Sequence, residues 1–106
     1  MGDIDKIDII RNAIDVLENI EFEYDGDSRV VEPHLLGYNQ TGTLTLSAWQ
    51  IFGRSGIGWR SFHVAKIISL QSTDQHFNGA RPDYNPNDIA MDPIIHRIRQ
   101  SRTSEY

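Results

Sequence analysis

The sequence predicts an α+β fold: an N-terminal helix, then a small, strongly bent antiparallel β-barrel, then a short C-terminal helix. Three observations predict it. Apolar residues recur at helical spacing from Ile4 to Leu17. The pattern switches to period two at Ile20. Four or five strand-like runs joined by short turns then fill roughly the next 50 residues. The 106 residues suit one domain, long enough to bury a core without metal or disulfide, and there is no cysteine.

The helix is expected over residues 4–18. Asp3 reads as its N-cap; Ile7, Ile10, Ile14 and Leu17 share one face, extended by Ile4, and Asp8, Arg11, Asp15 and Glu18 cover the other. Ile20-Glu21-Phe22-Glu23-Tyr24 alternates as a half-buried strand does, and Asp25-Gly26-Asp27-Ser28 is a turn. Arg29 to Glu32 begins a second strand, which Pro33 ends or bends and His34 to Gln40 continues. Thr43 to Phe52 is a third strand, with Leu44, Leu46 and Ala48 on one face and Thr45, Ser47 and Trp49 on the other. Residues 53–58, glycine-rich, read as a mobile hairpin tip, and Trp59 to Leu70 as one long fourth strand. Residues 78–92 resemble a linker. Asp92-Pro93 should start the C-terminal helix, with Ile94, Ile95 and Ile98 inward, packed on or beside the barrel.

Charge is distributed unevenly. The net charge is −5, but residues 1–32 carry −7, residues 33–73 hold no Asp or Glu and carry +3, and residues 74–106 carry −1. An acid-free central stretch suggests a surface where negative charge is unwelcome. No apolar run approaches the roughly 20 residues of a membrane helix, and the acidic N-terminus lacks the apolar stretch of a signal peptide. No membrane association and a cytoplasmic location are therefore expected. Histidines 34, 63, 76 and 96 are too widely spaced for a local metal motif, so neither a metal nor another cofactor is expected. No nucleophile or paired-acid constellation stands out, so the chain does not read as an enzyme.

The strand ending in Tyr24, the run Arg29-Val30-Val31-Glu32-Pro33-His34-Leu35-Leu36, the run Gly42-Thr43-Leu44-Thr45-Leu46-Ser47-Ala48, and Arg60-Ser61-Phe62-His63-Val64-Ala65-Lys66-Ile67 together resemble the WYL domain in order and spacing. Phe77 and Tyr84-x-Pro86 look like its closing positions. The resemblance covers residues 10–77, with the domain itself set at 1–77 and 78–106 appended. Two departures stand out: the Trp-Tyr-Leu motif reads Leu44-Thr45-Leu46 here, and the second arginine of the last strand is Lys66. The resemblance implies an SH3- or Sm-like barrel that senses a nucleotide or nucleic-acid ligand. It maps the ligand-contacting positions to Arg60, His63 and Lys66, with Thr45 in the tyrosine's place. No helix-turn-helix fits beside the barrel in this chain, so a stand-alone sensor acting with a separate regulator or effector protein is implied.

The residue chemistry gives the same candidates. Arg60 offers a planar fork for phosphate and Lys66 a compact positive charge. Strand parity sets Arg60, Phe62 and Lys66 on one side and His63 on the other unless the strand bends. Trp49 and Trp59 are the aromatic candidates for base stacking, and Arg54 adds charge in the glycine loop. Phe22 and Phe62 are expected in the core. The expected function is thus a non-enzymatic module binding a nucleotide, an oligonucleotide or single-stranded nucleic acid. The alternative is a protein-interaction or homodimerising barrel that uses its sheet edges.

Overall fold

The computed structural model describes residues 2–88 and 91–98. Helix α1 (Asp3–Val16) is followed by β1 (Glu18–Tyr24), β2 (Asp27–Asn39), β3 (Leu44–Phe52), β4 (Gly58–His63), a 3-10 turn (Val64–Lys66), β5 (Ile68–His76) and β6 (Met91–Arg97). All pairings are antiparallel, in the order β4-β3-β2-β1-β5, with β6 attached to β2. The α+β class and the N-terminal helix are as expected. The sheet is not closed: its end strands β4 and β5 are joined through the 3-10 turn without a ladder between them among the described residues.

Strand β2 organises the sheet. Its 13 residues pair with β3 along one edge. On the other edge, Asp27–Val31 pair with β1 and Leu35–Asn39 with β6. The change of partner falls at Glu32-Pro33-His34. Proline has no N–H to give a ladder, so it fits where pairing is interrupted. The β3 register skips one residue here, with Pro33 opposite Ala48 and Leu35 opposite Ser47, so His34 is the extra residue of a β-bulge.

The helix buries Ile10, Ala13 and Ile14 against Ile20, Phe22, Val31, Leu36, Leu46, Phe62, Val64 and Ile67. Phe22, Tyr24 and Phe62 meet edge to face, with centroids 5.0–6.4 Å apart, which confirms Phe22 and Phe62 as core. Lys6 is buried, and its Nζ donates to the Val64 carbonyl at 3.1 Å, tying the helix to the 3-10 turn. Several expectations are corrected. The helix starts at Asp3, with Gly2 rather than Asp3 as its cap. Ile4 is 76 % exposed, outside the packed stripe. The single long strand from Trp59 to Leu70 is two strands broken by the 3-10 turn.

The largest correction is at the C-terminus. Residues 91–97 form β6, where a helix capped by Asp92 was expected. The free edge of β2 beyond its bulge offers unpaired backbone groups, and the β-branched pair Ile94-Ile95 suits a strand. Pro93 is tolerated because β6 pairs on one side only. Residues 99–106 of the expected helix lie outside the described residues.

Gly37 makes this pairing possible. A Cβ there would lie 2.9 Å from the Pro93 carbonyl oxygen and 3.1 Å from the Ile94 Cα, both backbone atoms. Gly37→Ala is therefore expected to push β6 off β2 and to destabilise the protein by about 1–3 kcal/mol in urea denaturation. Hydrogen exchange should show the amides of Ile94–Ile98 losing protection while those of β3 keep theirs.

Candidate ligand-binding cleft

The bulge turns the His34 ring into the interior, where it is 0 % exposed. Its Nδ1 lies 2.8 Å from the Glu32 carbonyl oxygen, and its Nε2 accepts the Arg81 backbone N–H at 3.1 Å. The carbonyl can only accept and the amide can only donate. The ring is therefore the neutral tautomer protonated on Nδ1. Burial pushes its pKa below the usual histidine value, against a smaller upward pull from the hydrogen bond to Glu32.

Around this ring the linker-like stretch folds onto the sheet as a strap. Phe77 stacks on His34 at 5.4 Å, and its N–H donates to the Leu17 carbonyl at 2.9 Å. Arg81 makes a bidentate pair with the buried Glu32 carboxylate at 2.6 and 2.7 Å and lies over the Trp49 ring at 5.2 Å. The Tyr84 hydroxyl donates to the Ile98 carbonyl at 2.8 Å, and burial pushes its pKa up to about 12. Arg97 donates to the Pro86 carbonyl at 2.8 Å. The Phe77 bond ties the start of the strap to the end of α1, and the others tie it to β2 or to the end of β6.

Between the strap and β4 opens a cleft of about 250 Å³. Trp59 and Tyr84 line it, their rings 6.4 Å apart and within 20° of parallel. His34 meets both edge-on at 4.8 and 5.2 Å, and Trp49 supports Trp59 edge-on at 5.6 Å. Ser47, Ser61 and Arg60 complete the sheet side, and Asp83, Asn85 and Asp88 the strap side.

Arg60 is held in an unexpected way. Its guanidinium turns back on the glycine-rich loop. It donates to the Trp59 carbonyl at 2.7 Å, the Gly56 carbonyl at 3.1 Å, the Ser55 hydroxyl at 3.2 Å and the Ser55 carbonyl. The buried Gln50 amide donates to the Arg54 and Gly56 carbonyls at 2.9 and 2.8 Å, and the Arg54 N–H donates to Asp27 at 2.7 Å. The loop read as a mobile tip is thus cross-braced by three side chains. Its Arg54 and Gly56 amides are already engaged, the latter with the Gly53 carbonyl, so they do not cradle a phosphate. The acceptors of Arg60 are all neutral, so no carboxylate among the described residues bonds it, while Asp83 and Asp88 face it across the cleft.

Of the expected site residues, the structure brings Trp59 and Arg60 to the cleft, with Trp49 behind them. It does not bring the other four there. Thr45 is 3 % exposed, and its hydroxyl donates to the Thr43 carbonyl. Arg54 is exposed in the loop. His63, at the end of β4, gives its backbone N–H to the Tyr24 hydroxyl at 2.9 Å. Lys66 is exposed at the end of the 3-10 turn. Arg60 points toward residues 55–59, and Lys66 lies beyond the other end of β4, so the two cations do not form one grip.

Sequence reasoning missed Glu32, His34, Arg81 and Tyr84. A signal was present: Glu and His flank a proline inside the apolar run from Val30 to Leu36, and ionisable groups buried in a strand require partners. Among the described residues there is no cluster of three or more metal-ligating side chains, and no helix is long and apolar enough to cross a membrane. In comparisons with known proteins, no family model, no curated protein and no solved structure matches the chain.

The neutral, buried His34 predicts a pH dependence. The unfolded chain takes up a proton near the ordinary histidine pKa of about 6.5, whereas the folded ring resists it. Stability is therefore full above that pH and falls as pH drops below it, by at most about 1.4 kcal/mol per pH unit. Urea titrations between about pH 7.5 and 5.5 should show this slope in the wild type and a flatter one in His34→Gln. Parallel slopes in the two proteins would show that His34 does not carry the effect.

Proposed function

We propose that the protein is a non-enzymatic regulatory module that binds a nucleotide, an oligonucleotide or single-stranded nucleic acid and acts with a separate output protein. The observation that carries this reading is the pairing, at one cleft, of a nearly parallel indole and phenol with an arginine that only neutral acceptors bond. An aromatic face suits a base, and stacking of that kind contributes about 1–3 kcal/mol. Arg60 acts as a fixed positive charge beside it, because its N–H groups are mostly held by the loop. Asp83 repels phosphate from the strap side and can accept N–H donors of a base. A ligand would then lie with its phosphate toward β4.

At about 250 Å³ the cleft falls just short of the roughly 300–1,000 Å³ of pockets that enclose a whole ligand. One ring system enters and the remainder lies across the rim, which suits a strand or oligonucleotide better than an engulfed metabolite. The resemblance to the WYL domain points to the same ligand class. That reading draws on the N-terminal helix and the antiparallel strand order; the sheet itself is open.

The test uses Trp59 as reporter. The chain has two tryptophans, so Trp49→Phe leaves Trp59 alone. Titration with mononucleotides and short single-stranded oligonucleotides should quench its emission saturably. Arg60→Met should weaken binding about five- to tenfold, the loss expected when a charged contact is removed. Unchanged emission and no thermal stabilisation by any of these compounds would overturn the proposal.

A further inference from the structure

On the face of the sheet opposite the core, residues paired across strands share one side. Phe52 of β3 pairs with Val30 of β2, Val30 with Glu21 of β1, and Glu21 with Gln71 of β5; Glu23 of β1 pairs with Ile68 of β5. This row crosses four strands. Phe52 is 62 % exposed and Ile68 54 %. Beside Phe52 runs a groove of about 280 Å³, lined by Phe52, Val30, Glu21, Glu23, Ser69 and Gln71; Ile68 lies outside this lining, next in sequence to Ser69.

The groove is also acidic. The Glu21 carboxylate accepts only the neutral Gln71 amide, and Glu23 has no hydrogen-bond or ion-pair partner among the described residues. Arg29 borders the groove but faces the core. Its Nε lies 3.1 Å from Asp27, its Nη1 donates to Gln50 at 3.1 Å, and its guanidinium lies 5.8 Å from the Tyr24 and Phe62 ring centres. The groove therefore keeps its negative charge, in the third of the chain that carries −7.

We propose that this groove is a docking surface for a cationic segment of another protein, one that places lysine or arginine between two apolar anchors. The anchors would cover Phe52 and Ile68, and the cations would meet Glu21 and Glu23. Three strand spacings of about 4.8 Å separate β3 from β5, so the apolar ends lie about 15 Å apart. An extended segment rising about 3.3 Å per residue covers that distance in four or five residues. This surface is lined by none of the cleft residues, so its partner and the cleft's ligand can be tested separately.

The experiment is a fluorescence-anisotropy titration of the full chain. The probe is a labelled peptide with two lysines and an arginine between leucine anchors; its counterpart carries glutamates in place of the cations. The cationic peptide should bind and the anionic one should not. Phe52→Ser, Ile68→Ser and the double variant Glu21→Lys/Glu23→Lys should each weaken binding about tenfold or more. Raising salt from about 50 to about 300 mM should weaken it as well. Phe52 and Ile68 are exposed, so their variants are expected to fold, and circular dichroism checks this. Equal binding of the two peptides, or binding indifferent to Phe52→Ser and Ile68→Ser, would overturn the proposal. So would a sedimentation result showing a wild-type dimer that Phe52→Ser dissociates, since the occupant would then be a second copy.

Discussion

A single buried imidazole fixes the architecture. His34 occupies the bulge of β2, and the bulge is where β2 exchanges β1 for β6 as its neighbour. Three elements converge on the residue: its ring bonds the Glu32 carbonyl and the Arg81 amide, and its own carbonyl accepts the Ile98 N–H at 2.9 Å. A buried ring nitrogen without a partner costs about 1–3 kcal/mol, so each of these bonds is costly to lose. Aromatic neighbours add to the constraint, with Phe77 stacked on the ring and Trp59 and Tyr84 meeting it edge-on. The side chain that sets the bend in the sheet therefore also sets both aromatic walls of the cleft.

Charge placement follows the same economy of partners. Glu32 is buried because Arg81 satisfies both of its oxygens, and Arg29 because Asp27, Gln50 and two aromatic rings receive it. Arg60 differs in being held only by neutral acceptors. No carboxylate among the described residues bonds it, although Asp83 and Asp88 line the same cleft from the strap. The acid-free stretch of residues 33–73 covers the second half of β2, all of β3 and β4, and most of β5. A carboxylate on those strands near Arg60 would pull the guanidinium off the loop or neutralise it. The opposite charge collects in the N-terminal third, on α1, β1 and the start of β2, where the apolar groove lies.

The elements that could be read from the sequence were those whose local pattern and tertiary setting agree. Helix α1 and strands β1 and β3 follow apolar periodicity, and periodicity reports which face is buried; β2 is buried on both faces from Val31 to Gly37 and was read from its turns. The fourth strand was read as too long because the apolar run through Val64, Ile67 and Leu70 continues across a 3-10 turn, and burial alone does not mark where backbone pairing stops. Strand β6 was misread because Asp92-Pro93 satisfies the local rules for starting a helix. What decides its conformation is the vacant β2 edge created by a bulge some 60 residues earlier in the chain. The site was half legible. Trp59 and Arg60 announce themselves by type, whereas Tyr84 and Arg81 matter through a strap that only tertiary contact folds back. Lys66 and Thr45 were drawn in by strand parity and by resemblance. The 3-10 turn removes the first from the strand, and burial removes the second from solvent.

The way Arg60 is anchored determines what kind of recognition the cleft can perform. A guanidinium free to rotate could present two parallel N–H groups to a phosphate, and the specificity would lie in that fork. Here the contacts to the loop and to the Trp59 carbonyl occupy most of the fork, and releasing them would unbrace residues 53–58. What remains is a charge at a fixed position, which attracts anions without selecting their geometry. Selection then falls to the ring faces of Trp59 and Tyr84 and to the polar groups of the strap, all held by His34 and Arg81. On the proposed function, the cleft would choose among planar groups and tolerate variation in the phosphate they carry. That preference follows from the loop clamp and does not depend on which planar ligand it meets.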